Sequence, residues 1–149
     1  MGIFGRKPNL AKMEQEKDVQ GLIKALRHKE HRIRIGATLS LGRLSDKRAI
    51  EPLIETFNDQ NWLVRVGAAE ALGRIGKPAV EILVQHLTHI FPTVRLGAAE
   101  ALGKIGDKRT IKPLVEVYRK ETSSPVKQGI LKALKELGGE KAVNRALQT

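Results

Sequence analysis

The chain has no cysteine, which excludes disulfides, thiolate metal sites and cysteine nucleophiles and suits a reducing compartment. Aromatic residues are scarce: one Trp, one Tyr and three Phe. Ala, Leu, Ile and Val must then supply the core, a composition that suits closely packed helices better than a sheet. No stretch approaches the roughly 18 apolar residues that span a membrane. No apolar run near Met1 is long enough for a signal peptide. Arg6 stands where a myristoylation motif after Gly2 wants Ser or Thr. A cytoplasmic protein is expected, and 149 residues suffice for one domain with a sizeable core.

The formal net charge is +11. It is unevenly distributed along the chain. Residues 1–34 carry nine basic and four acidic side chains, and residues 108–149 carry ten and four. Residues 35–76 carry five of each sign, and residues 77–107 three of each. The ends are basic and the middle is neutral, whereas a nucleic-acid groove along the molecule would be basic throughout.

Internal repetition dominates what is present. The segment Val64-Arg65-Val66-Gly67-Ala68-Ala69-Glu70-Ala71-Leu72-Gly73-Arg74-Ile75-Gly76 recurs nearly unchanged from Val94 to Gly106. Looser copies surround Ile33 to Leu44 and Val126 to Gly138. A Gly marker moves from 36 to 67, 97 and 129, and a Leu marker from 41 to 72, 102 and 134. Both take steps of 31, 30 and 32.

Each period holds two helices. In the second, B, Val64, Ala68, Ala71, Leu72 and Ile75 share one face at helical spacing. Gly costs roughly 1 kcal/mol relative to Ala within a helix, so its recurrence implies a packing reason. In the first helix, A, Pro52 and Pro113 fit near a helix start, with Asp46 and Asp107 as caps. Gly76, Gly106 and Gly138–Gly139 end the B helices. The spacing predicts an N-terminal basic segment over 1–16 with a short helix from Asn9 to Glu16. A repeat domain over 17–149 follows, with pairs at about 17–44, 46–75, 77–105 and 107–137 and a cap helix at 140–148. No pair can bury its apolar faces alone, so stacking must complete the core.

This pattern resembles the short HEAT-like repeat of the phycobilin-lyase type, over about residues 17–148. The resemblance implies an all-α, right-handed α-α superhelix, an α-solenoid with the B helices on its concave side. It also implies a ladder between repeats, built on an Asp six residues before each Arg. Asp59 and Arg65 keep that pair, while His28 precedes Arg34, His89 precedes Arg95 and Glu121 precedes Lys127. Arg34, Asp59, Arg65, Arg95 and Lys127 are therefore expected to be structural first, with ligand binding as the second reading of the four cations.

Little in the sequence suggests catalysis. His28 and His31, and His86 and His89, are each three apart, but neither pair has the further ligands a metal needs. His28 and His89 would lie about 20 Å apart if repeats stack at roughly 10 Å. Deoxyhypusine hydroxylase, a HEAT-like relative, holds iron with His-Glu pairs, and this chain has no His-Glu dipeptide. There is no phosphate-binding Gly loop. No metal or cofactor is expected, and the protein is read as a binder and not an enzyme.

The position after each Arg is commonly polar in such repeats, yet here it holds Ile35, Val66 and Leu96. Leu39 replaces a usual Glu that Glu70 and Glu100 retain. With Trp62 and Leu63 these residues form either an exposed apolar strip or side chains buried between adjacent B helices. Ile35, Leu39, Trp62, Leu63, Val66, Glu70, Leu96 and Glu100 are the candidate partner-binding residues. The expected partner is another protein or a peptide, bound by a monomer. The alternative is nucleic acid or an anionic surface, met by Lys108, Arg109, Lys112, Arg119 and Lys120 at one end and Arg6, Lys7 and Lys12 at the other. Met1–Phe4 would then touch a membrane. An accessory role beside a lyase-like enzyme is a third reading.

Overall fold

A computed structural model describes residues 6–148, so Met1–Phe4 lie outside the described residues. The described residues form helices and turns without strands. The short helix α1 (Leu10–Gln15) is followed by four A/B pairs. These are α2 (Val19–Ala25) with α3 (His31–Leu44), α4 (Ile50–Glu55) with α5 (Trp62–Ile75), α6 (Val80–His86) with α7 (Pro92–Ile105), and α8 (Ile111–Lys120) with α9 (Ser124–Leu147). The chain is an all-α superhelix. The B helices α3, α5, α7 and α9 pack side by side in order, and each A helix lies against its own B helix.

Local chemistry sets the boundaries. Asp46 and Asp107 each accept a backbone N–H two residues on, from Arg48 and Arg109, and so open the 3₁₀ turns that lead into α4 and α8. Their paired Arg48 and Arg109 side chains hold both carboxyls down at about 2. Gly76 (φ 80°) and Gly106 (φ 79°) end α5 and α7 in backbone that side chains with a Cβ rarely adopt. In the first repeat Ser45 takes that left-handed place at φ 51°, its hydroxyl donating to the Gly42 carbonyl. Gly139 (φ 62°) kinks α9, so its last turns form a separate terminal segment.

The marker residues explain the packing. Leu41, Leu72, Leu102 and Leu134 are each 0% exposed. The recurrent glycines receive side chains from the preceding layer: Leu10 on Gly36, Thr38 on Gly67, Phe57 on Gly97 and Leu96 on Gly129. A second set brings backbones together. A Cβ on Gly42 would lie 3.1 Å from the Ala71 Cα, and one on Gly103 would lie 3.0 Å from the Ala133 Cα. Small residues therefore let α3 and α5, and α7 and α9, approach along their main chains, while Gly73 of α5 receives the Lys104 side chain.

Helix α1 covers the first repeat. Glu14 accepts from Arg43 Nε (2.7 Å) and Nη2 (2.8 Å) and from the Ser40 hydroxyl (2.7 Å). The Arg43 guanidinium, then Ser40, hold its carboxyl down at about 2. A lowered carboxyl stabilises above its unfolded value, about 4.3 for Glu, and loses that contribution as pH falls through the folded value. Hydrogen-exchange protection of the α1 amides is therefore expected to fall between about pH 4.3 and pH 2. Unchanged protection across that window would show that Glu14 does not hold the helix.

Candidate functional site

With the A helices on one side, the B-helix layer presents its other side to solvent. The side chains there fall into rows that step one repeat at a time. Ile35, Val66 and Leu96 make one row, followed by Leu39, Glu70 and Glu100 and then by Arg43, Arg74 and Lys104. Leu39 is 47% exposed, Trp62 61%, Leu63 42% and Val66 40%. Ile35 and Leu96 are half-buried, Leu96 because its tip rests on Gly129. Trp62 opens α5 beside its N-cap Asn61, whose side chain accepts from the Leu63 N–H at 2.9 Å. The N-terminal half of this face is thus apolar and solvated.

Towards α9 the face becomes charged. Lys104 Nζ lies 2.7 Å from Glu70, and that hydrogen bond raises the ammonium above its ordinary range. Glu100 lines a cavity of about 100 Å³ with Val66, Lys104, Lys132 and Glu136. Burial pushes its carboxyl up, opposed by Lys132 and Lys104. These groups largely neutralise one another.

Beside the rows run the arginines. Arg34 gives a fork to Asp59 of the next repeat, Nε at 2.7 Å and Nη2 at 3.1 Å, while Nη1 donates to the carbonyls of His28 and Lys29. Arg95 repeats this with Glu121 at 2.8 and 2.9 Å and the carbonyls of His89 and Ile90. Arg65 reaches the carbonyls of Asp59 and Gln60, not the Asp59 carboxylate. The rungs between repeats therefore run from the Arg of one layer to the acid of the next, at two of the three joints. Lys127 stands over the Tyr118 ring at 5.4 Å instead.

The histidines serve turns. Nδ1 of His28 and of His89 accepts a backbone N–H two residues on, at 3.0 and 3.1 Å, the part that Asp59 Oδ1 plays for Asn61. His86 stacks on His89 with centroids 5.8 Å apart. Among the described residues no three or more His, Asp or Glu side chains converge as a metal would require. Of the basic end residues, Arg109 is paired with Asp107, Lys7 with Glu30 and Lys12 with Glu16, and Arg119 donates to the Arg145 and Gln148 carbonyls. Arg6, Lys108, Lys112 and Lys120 are exposed.

Sequential A/B pairs with an exposed B-helix face define a helical-repeat protein. The family model for HEAT repeats matches residues 19–90 and 80–148, so the chain belongs to the HEAT-repeat family. No curated protein matches it. Among solved structures it is similar to an engineered protein at 24% identity and a TM-score of 0.49, covering 95% of this chain and 73% of that one. It is also similar to a designed armadillo repeat protein in complex with the peptide (KR)4, at 16% identity and a TM-score of 0.48, covering 95% of this chain and 75% of that one. No helix among the described residues is long and apolar enough to cross a membrane.

Proposed function

We propose that the protein is an adaptor that docks a peptide or a partner helix on the free, concave face of its B helices, and that it binds without catalysing. One observation carries this reading: Leu39, Trp62, Leu63 and Val66 stay exposed on one face although the core beneath them is closed. Exposed apolar surface of this kind marks an interaction site. Trp is enriched among the residues that dominate interface energy. Glu70 and Glu100 border the strip and supply polar contacts at its rim.

Trp62 is the only tryptophan, so its emission reports directly on this face. A docked partner is expected to shift that emission to the blue. Trp62→Ala and Val66→Glu are expected to weaken binding by about 2 kcal/mol or more while far-UV circular dichroism stays unchanged. Undiminished capture of the partner by either folded variant would refute the reading.

A further inference from the structure

The arginine rungs are not all filled. Arg34 and Arg95 each close a two-pronged pair with the acid of the following repeat. At the middle joint the equivalent position holds His89. Arg65 keeps the same Nη1 bonds to main-chain carbonyls as the other two. Its Nε and Nη2 groups have no acceptor among the described residues.

His89 cannot supply that acceptor. Its Nδ1 lone pair takes the Phe91 N–H at 3.1 Å, so in the neutral ring the proton sits on Nε2, and a doubly protonated ring has no lone pair at all. The ring is further held by stacking on His86 and by Phe91 at 5.5 Å. Arg65 lies one residue before Val66 and three after Trp62, within the first turns of α5. Its charge also reaches Glu100 on α7.

We infer that the unfilled fork of Arg65 receives a carboxylate from a bound partner, so that the partner is a peptide with an Asp or Glu next to an apolar side chain. This rests on the proposed docking face and names the chemistry it selects. A carboxylate fits because both filled rungs hold one in that two-pronged geometry, and Arg forks match carboxylates in this way. The apolar neighbour would lie on Trp62 and Val66. In the joints on either side an acidic side chain of the chain itself takes the fork, whereas here His89 stands in that position and leaves the fork to the partner.

Two measurements test this. Acetate is titrated into labelled protein while the arginine Nε–H signals are followed by nuclear magnetic resonance. Arg65 is expected to shift, and Arg34 and Arg95 to stay in place. An absent response, or an equal one at all three, overturns the proposal, as does a response to inorganic phosphate with none to acetate. A library of random 12-residue peptides is then selected on the wild type. Enriched peptides are expected to carry one acidic residue beside an apolar one. Both His89→Asp and His89→Glu fill the rung from within, and each is expected to raise Tm and weaken an enriched peptide at least tenfold. Enrichment without an acidic residue, or full binding to both folded variants, overturns it. Val66→Glu separates the two ideas. Retained peptide binding there refutes the docking face, whereas lost binding with an intact acetate response at Arg65 leaves both readings standing.

Discussion

Replacing Gly97 with alanine is expected to destabilise the protein by about 2–3 kcal/mol in urea denaturation, the cost of overpacking a closed core. Helix propensity alone gives the opposite sign, a gain of about 1 kcal/mol. Phe57 decides the outcome. Its ring is 0% exposed and lies directly where the new methyl would stand. A flat ring closed in on all sides cannot bend away, so either Phe57 or α7 must move. Two of the other marker glycines give the contrast. At Gly36 and Gly129 the neighbour is the far end of a leucine, which has other rotamers. Alanine there is expected to cost less than about 1 kcal/mol, because the propensity gain offsets the small shift. Phe57→Leu in the Gly97→Ala background should restore part of the loss, and a double-mutant cycle would show the coupling. Equal effects at Gly36, Gly97 and Gly129 would contradict this packing account.

Removing the acid from the last rung is the other large effect. Glu121→Ala is expected to cost about 3 kcal/mol, because it strands a partly buried guanidinium. The Arg95 side chain is only 16% exposed and that of Glu121 only 3%. Glu121 Oε1 also accepts the Thr122 and Ser123 N–H groups in the turn before α9, so the change removes those bonds as well. The pair gives a pH signature. The Arg95 hydrogen bonds hold the Glu121 carboxyl below its ordinary range. The stability it contributes is complete above about pH 4.3 and is lost as pH falls through the lowered folded value. The gap between wild type and Glu121→Ala should therefore narrow on acidification. A gap that stays constant from neutral pH to pH 2 would rule out the ion pair as its source.

The fold was legible because a repeat writes its register several times over. Equal steps of the Gly and Leu markers located the buried faces, and the four leucines lie fully inside. Ser45 was harder to read, because a serine in left-handed backbone leaves no mark in composition. Exposure of the strip was open in the sequence for a physical reason. Ile35 and Val66 occupy the same register position, yet one is half-buried and the other 40% exposed. Helical spacing fixes the register of a side chain, not what lies opposite it. The arginine partners were obscured by distance along the chain: Arg34 and Asp59 are 25 residues apart, Arg95 and Glu121 are 26. A spacing of six within one repeat drew attention to Asp59 and Arg65, but the carboxylate faces the layer before. The part of Phe57 was hidden as well, because it lies 40 residues before Gly97 and so off the period of the markers.

The three joints between repeats differ in how they bear load. The first and last are latched by a charged fork, which resists twisting because two parallel bonds must break together. The middle one seats the Phe57 ring over Gly97 and is crossed by the single-pronged Lys104–Glu70 pair, with no fork. Twisting between the two halves is expected to meet less resistance here than at the forked joints, and this joint lies beside Trp62. A guest that fills the empty fork would act as a brake, setting the angle between the halves at the moment of capture.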